Sequence, residues 1–337
     1  MSHTSGIAGD GATAAVAVLG AGAWGTVLAL LLSGTGHAVN LWARRPDHAA
    51  AMARVRENAA YLPGAPLPPT LTPTADLQAA LAGVGLAFVA VPSRAVRALA
   101  SGLPEVPPPL VLASKGIEPA RFLRLSQVVA EVRPGSILAV LSGPNLAAEI
   151  AAGKPAGATV ASTEPGLSAR VQSLFDGSRF RIYTGTDVIG VEVAGAMKNV
   201  IALAAGMSDG LGLGDNAKAL ILTRGLAEIV RLGERLGGEA SSFYGLSGVG
   251  DLVATCVSDQ SRNHFAGVRF ARGATRAELE AEHLTAEGLP TAEAAHNLSL
   301  ALGVELPISA EVYRVAFEGK RPRDAIRDLM GRGPKAE

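Results

Sequence analysis

Short apolar runs recur along the first half of the chain, each followed by residues with helical spacing. Val16–Leu19, Ala38–Trp42, Leu86–Val91, Leu110–Ala113 and Ile137–Leu141 read as strands, with Ala158–Ala161 and Phe180–Tyr183 as later ones. Thr26–Ser33 and Pro46–Asn58 read as helices, and Leu62–Pro73 as a Pro-rich loop. Such alternation predicts an α/β doubly wound, mostly parallel sheet covered on both faces. Past Thr186 the texture changes. Val188–Met207 is long, Ala-rich and free of proline, and strand signals largely vanish. Ala217–Leu236, Glu278–Leu284, Thr291–Leu302 and Ser309–Phe317 follow with helical spacing, so the second half reads as all-α.

Between Asp10 and His37 there is no charged residue, a run long enough to imitate a membrane span. Gly20, Gly22 and Gly25 interrupt it behind a β-rich run, so strand, glycine turn and helix account for it better. No integral membrane segment is expected. Residues 1–13, small and polar without a Lys or Arg cluster, read as a disordered extension rather than a targeting signal.

Of the 337 residues 48% are apolar, ample for two packed domains. Thirty basic residues balance thirty acidic ones, so no overall field draws the protein to nucleic acid. Cys256 is the only cysteine, which forbids an intramolecular disulfide and fits a cytoplasmic location. The six histidines lack ligand spacing, so no metal is expected.

Gly20-Ala21-Gly22-Ala23-Trp24-Gly25 has the GxGxxG spacing directly after a strand and opening a helix. The first glycine allows the tight turn, the second the approach of a pyrophosphate, and the third close helix–strand packing. Free N–H groups at the helix start suit that anion. A dinucleotide cofactor and a Rossmann-type domain over residues 14–187 follow, with a helical substrate domain over residues 188–332. The second strand ends in Leu41-Trp42-Ala43-Arg44-Arg45, with no acid for a ribose hydroxyl. Arg44 suits a 2′-phosphate, which favours NADP(H) over NAD(H).

Four further segments are hard to explain by packing alone. They are Ser114-Lys115-Gly116, Ser142-Gly143-Pro144-Asn145, Lys198-Asn199 within an apolar stretch, and Gly248–Asp251 with Thr255 leading to Ser261-Arg262-Asn263. Each has a bland alternative. A loop lysine is usually solvated, Lys198 could snorkel, and Asp251 could cap a helix. Their joint presence behind a dinucleotide turn favours chemistry.

These segments resemble bacterial NAD(P)+-dependent glycerol-3-phosphate dehydrogenases, from about Ala14 to Leu329. The matching stretches are GAGAWGT at Gly20, VPS at Val91, SKG at Ser114, SGPN at Ser142 and EVAGAMKNV at Glu192. DGLGLGDNAKALILTRGLAE at Asp209, GLSGVGDLVATC at Gly245 and SRN at Ser261 complete the set. The resemblance implies an active site between the two domains. There, hydride transfer with NAD(P)H would interconvert dihydroxyacetone phosphate and sn-glycerol 3-phosphate, supplying phospholipid synthesis. It implies proton transfer by Lys198 and a substrate site lined by Lys115, Gly143, Asn145, Asp251, Thr255, Ser261, Arg262 and Asn263. Cofactor contacts are implied at Gly20, Gly22, Ala23, Trp24, Gly25, Arg44, Lys115, Ala147, Arg262, Thr285 and Glu287, and a homodimer is expected. Two positions depart from the family pattern. Asn145 stands where Ser or Thr is commoner, and Thr285-Ala286-Glu287-Gly288 replaces a Val-Val or Val-Glu-Gly box.

The chemistry agrees. Reducing a ketone develops negative charge on oxygen, which an ammonium can stabilise and protonate. Two other readings compete. A ketopantoate reductase-like enzyme would share the glycine turn and a helical lysine but not GLSGVGDL followed by SRN. A non-catalytic nucleotide sensor would have no use for Lys198 beside Asn199.

Overall fold

The computed structural model describes residues 15–282 and 284–333, so the expected N-terminal extension lies outside the described residues. Ten strands occur among them: β1 Ala15–Leu19, β2 Val39–Trp42, β3 Leu71–Thr74, β4 Val84–Val89, β5 Leu110–Leu112, β6 Ile117–Glu118, β7 Leu123–Arg124, β8 Leu138–Ser142, β9 Ala156–Ala161 and β10 Phe180–Gly185. Eight form one sheet in the order β10-β9-β8-β5-β4-β1-β2-β3, parallel except where β8 meets β9. The doubly wound α/β fold is therefore as the sequence predicts. Strand order reverses between β1 and β4, which opens a crevice beyond their carboxyl ends.

Alternation within each strand feeds two cores. Val16, Val18, Phe88 and Val111 pack on one face of the sheet; Ala17, Leu19, Val89 and Leu112 pack on the other. Parallel strands buried on both faces must be apolar throughout, which is why they were legible. One strand of the large sheet escaped that reading, as did the short antiparallel pair β6–β7. Leu71–Thr74 lies within the expected loop, yet it pairs with β2, Leu41 opposite Pro73. It is one of the sheet's two edge strands, where a proline costs no ladder bond. The uncharged run before His37 resolves into β1, a turn and the twelve-residue helix Ala23–Gly34.

The second half is helical among the described residues and is organised around one element, Val188–Gly210. This helix is long and apolar enough to cross a membrane, but 89% of its most apolar window is buried inside the protein. Every residue from Gly190 to Ser208 is buried, so it is a central core helix. Asp187 caps it by accepting from the Gly190 N–H at 2.8 Å. Helices Asp251–Val257, Arg262–Ala271 and Pro322–Met330 are not among the helical stretches expected. The backbones of Val188–Gly210 and Arg262–Ala271 touch. A Cβ at Gly206 would sit 2.0 Å from the His264 carbonyl oxygen, and one at Gly267 would sit 2.2 Å from that of Leu203.

That contact yields a test. Gly206→Ala must push the two helices apart and should cost about 1–3 kcal/mol or more. It should appear as a lower denaturant midpoint at an unchanged m-value. An unchanged midpoint would mean the helices are not packed this closely.

Candidate active site between the two halves

The glycine turn lies at the carboxyl end of β1. Gly20 has φ +122°, and a Cβ there would lie 2.6 Å from the Ala90 carbonyl oxygen, so only glycine fits. A Cβ at Gly25 would lie 1.8 Å from the Gly20 carbonyl oxygen, which seats the helix directly on the turn. Gly22 is different, because a Cβ there would meet nothing within 4 Å. The protein itself makes no demand for glycine at that position; a ligand approaching the backbone does. The helix it opens has no side-chain cap and no acidic residue in its first turn. The Trp24 indole N–H is buried without an acceptor among the described residues. Open space, uncapped N–H groups and an orphaned donor together fit a dinucleotide pyrophosphate.

Across the crevice a charged cluster is buried. Asp251 is 0% exposed and accepts from two lysines: Lys115 Nζ reaches Oδ2 at 2.5 Å and Lys198 Nζ reaches Oδ1 at 2.8 Å. Lys115 also donates to the Gly143 carbonyl at 2.8 Å, and Lys198 to Thr255 Oγ1 at 2.6 Å. Lys115 follows β5 and Gly143 follows β8, both at carboxyl ends of the sheet. Lys198 comes from the central helix, and Asp251 and Thr255 from helix Asp251–Val257. Two ammonium groups share one carboxylate, so the cluster keeps a net positive charge. Burial outweighs the carboxylate for Lys115 and pushes its pKa down to about 8.

The family described as NAD-dependent glycerol-3-phosphate dehydrogenase matches through its N-terminal part over residues 15–168 and through its C-terminal part over residues 187–327. The NAD(P)+ glycerol-3-phosphate dehydrogenase of Thermus thermophilus is 51% identical over 323 residues, which cover 96% of this chain and 99% of that relative. The chain belongs to the NAD-dependent glycerol-3-phosphate dehydrogenase family. The Moorella thermoacetica relative of the same name is 48% identical, covering 94% of this chain and 96% of its own length. The crystal structure of glycerol-3-phosphate dehydrogenase from Coxiella burnetii superposes with a TM-score of 0.91 at 38% identity, covering 95% of this chain and 99% of that one.

Within this glycerol-3-phosphate dehydrogenase fold, the other residues singled out in the sequence divide in two. Ser261 caps helix Arg262–Ala271 by accepting from the His264 N–H at 3.2 Å. Arg262 is exposed on that first turn, and no hydrogen bond to another described residue occupies its guanidinium. Asn263 is buried and largely spent inside the protein: it donates to Asn199 Oδ1 at 2.8 Å and accepts from the Gly288 N–H at 2.9 Å. Asn145 follows Gly143 and Pro144 in the loop after β8, and neither of its buried amide atoms has a partner among the described residues. Ala147 opens helix Ala147–Ala151, and Arg44 is exposed just beyond β2. Thr285 is half-buried, while Glu287 accepts a hydrogen bond from the Ser93 hydroxyl across the crevice. Burial pushes the Glu287 carboxyl upward.

Sequence reasoning singled out Asn199 beside Lys198, but gave no role to Ser93 or Glu192. Glu192 accepts from the Ser126 N–H at 2.8 Å, the Ser126 hydroxyl at 2.5 Å and Arg124 Nη1 at 2.6 Å, which ties the central helix to the sheet half. A buried glutamate opening an apolar helix was the available signal.

Removing the shared carboxylate isolates that charge. Asp251→Asn leaves two buried ammonium groups without their counterion and should destabilise the protein by about 3–5 kcal/mol near neutral pH. Lys115, whose pKa burial already lowers, then favours its neutral form still more in the folded state, so the unfolded chain binds more protons. Stability of the variant should therefore recover as pH rises toward the ordinary lysine range. Equal unfolding midpoints for wild type and Asp251→Asn at neutral pH would refute the buried-pair account.

Proposed function

We propose that the chain is an NAD(P)+-dependent sn-glycerol-3-phosphate dehydrogenase that interconverts dihydroxyacetone phosphate and sn-glycerol 3-phosphate. The observation that carries this reading is the buried Lys115–Asp251–Lys198 cluster facing a dinucleotide turn. A buried amine without a task would cost several kcal/mol or shed its proton. When bound, the dinucleotide supplies the hydride that arrives at the ketone carbon. Lys198 donates a proton to the ketone oxygen: the N–H bond breaks, the O–H bond forms, and the electron pair stays on Nζ. Solvent then restores the ammonium, and in the oxidative direction neutral Lys198 accepts the hydroxyl proton. Asp251 and Thr255 fix Nζ in place through their hydrogen bonds. Lys115 adds a second cation and holds the Gly143 carbonyl.

The substrate phosphate is assigned to the start of helix Arg262–Ala271, with Arg262 as its cation and Ser261 and Asn263 beside it. Asn263 contributes less than its amide could, because one N–H is committed to Asn199. Asn145, with both amide atoms unspent, is assigned to the same pocket. Gly20, Gly22, Ala23, Trp24, Gly25, Ala147, Thr285 and Glu287 are assigned to the dinucleotide, and exposed Arg44 favours NADP(H). The same reading takes the domain boundary at the start of the central helix, a homodimer, a cytoplasmic location and supply of glycerol 3-phosphate for phospholipid synthesis. Exposed Leu220, Val253 and Val257 in the helical half support the dimer.

Two assays test the function. NADPH oxidation should depend on dihydroxyacetone phosphate and nearly vanish with unphosphorylated dihydroxyacetone; equal turnover of both would sink the phosphate assignment. Lys198→Met should lose roughly 10²–10⁴ in turnover, the usual worth of a positioned acid, while still binding NADPH. A folded variant with most of its kcat would remove Lys198 from the chemistry.

Lys115 predicts a pH dependence. Above its pKa of about 8 the cluster loses a cation, so the KM for the phosphate ester should climb as pH rises through that value. Lys115→Arg keeps its charge and should move that climb to higher pH. An unmoved alkaline limb would assign the titration to another group.

A further inference from the structure

Asn58 is 0% exposed, lies outside the glycine fingerprint, and makes three side-chain hydrogen bonds. Its Nδ2 donates to the Ala21 carbonyl at 3.0 Å and to Thr26 Oγ1 at 2.7 Å. Its Oδ1 lies 2.9 Å from His48 Nε2, which must be the donor because the amide oxygen only accepts. The partners fix the amide's orientation. Thr26 Oγ1 already donates to the Gly22 carbonyl at 2.8 Å, so it must accept from Asn58. Both ends of the contact belong to the cofactor region. Ala21 is the second residue of the turn, and His48 lies in helix Pro46–Val55, which starts just after Arg44. The His48 and Tyr61 rings pack with centroids 5.3 Å apart.

The peptide geometry gives this tether a purpose. The Gly22 carbonyl is already turned down the helix by the Thr26 N–H at 2.9 Å. The Ala21 carbonyl has no such constraint from the helix, and free to rotate it could swing toward the crevice and face an anion. In a trans peptide the carbonyl and the following N–H point in opposite directions. Pinning the Ala21 oxygen inward therefore aims the Gly22 N–H outward, on the side where a Cβ at Gly22 would meet nothing. We propose that Asn58 is a positioning residue for the dinucleotide. It holds the Ala21–Gly22 peptide with its N–H toward the pyrophosphate and couples that turn, through His48, to the segment that begins at Arg44. The proposal rests on the cofactor reading above.

The test is calorimetric binding of NADP+ and NAD+ without substrate, alongside steady-state kinetics. Asn58→Ala should weaken both nucleotides alike, by about tenfold or more, the worth of roughly one lost charge-assisted hydrogen bond. kcat at saturating cofactor and the KM for the ketone should stay near wild type. Arg44→Asp is the contrast and should weaken NADP+ while sparing NAD+. Asn58→Asp supplies a second readout and keeps the test open if the alanine variant does not fold. A protonated carboxyl can donate its single O–H to the Ala21 oxygen and accept from His48, losing only the bond to Thr26, whereas a carboxylate repels the Ala21 oxygen. Nucleotide affinity of that variant should approach wild type in acid and fall as pH rises through its titration. Wild-type affinity in Asn58→Ala, or pH-independent affinity in Asn58→Asp, overturns the proposal alone. A wild-type protein that binds neither nucleotide overturns the cofactor reading and this proposal with it.

Discussion

One buried carboxylate, shared by two ammonium groups, is the interaction on which the rest of this structure turns. Lys115 is delivered by the sheet, Lys198 by the central helix, and Asp251 by the helix after it. None of the three is tolerable alone at such depth. Desolvating an unpaired charge costs several kcal/mol, and the compensation exists only while both halves are docked. Docking is secured elsewhere. Glu192 takes three donors from the segment at Ser126, and Glu287 meets Ser93 beyond β4. These contacts surround the crevice, so the charge cluster sits inside a frame that does not itself take part in chemistry.

The central helix makes that frame rigid. It contacts the sheet on one side and helices on the others, and at Gly206 and Gly267 its backbone lies directly against that of Arg262–Ala271. Backbone-to-backbone packing at Gly206 and Gly267 leaves little slack, so the turn carrying Ser261, Arg262 and Asn263 is fixed relative to Lys198. Asn263 and Asn199 lock the same register with a hydrogen bond. Positioning of this kind is where much catalytic advantage is made, because small displacements of a reacting group cost rate steeply.

Much of this was legible in the chain before any coordinates. Parallel strands buried on both faces must be apolar, so β1, β4, β5 and β8 announced themselves, and GxGxxG behind a strand announced the turn. Lys198 stood out as a charge in an apolar run. What escaped detection was hidden for physical reasons. A proline masked β3 because edge strands tolerate it. Asp251 and Lys115 are 136 residues apart, and no local pattern pairs them. A buried asparagine such as Asn58 looks like any turn or helix residue until its partners are known. Asn263 was expected to line the substrate site, but its amide also donates to Asn199 and accepts from Gly288.

The central helix also constrains how the chain is made. Its composition satisfies the length and hydropathy of a membrane span, yet its cover comes from segments on both sides of it in sequence. During synthesis the sheet is complete before this helix emerges, so β8 and β9 offer one apolar wall at once. The remaining walls, from Asp215–Arg235 through Pro307–Glu318, arrive only afterwards. For that interval the nascent chain displays a greasy rod against a half-built groove, the kind of surface that invites chaperones or aggregation. The order of domains along the gene thus acts as a safeguard: placing the sheet first means this long apolar helix never waits entirely uncovered.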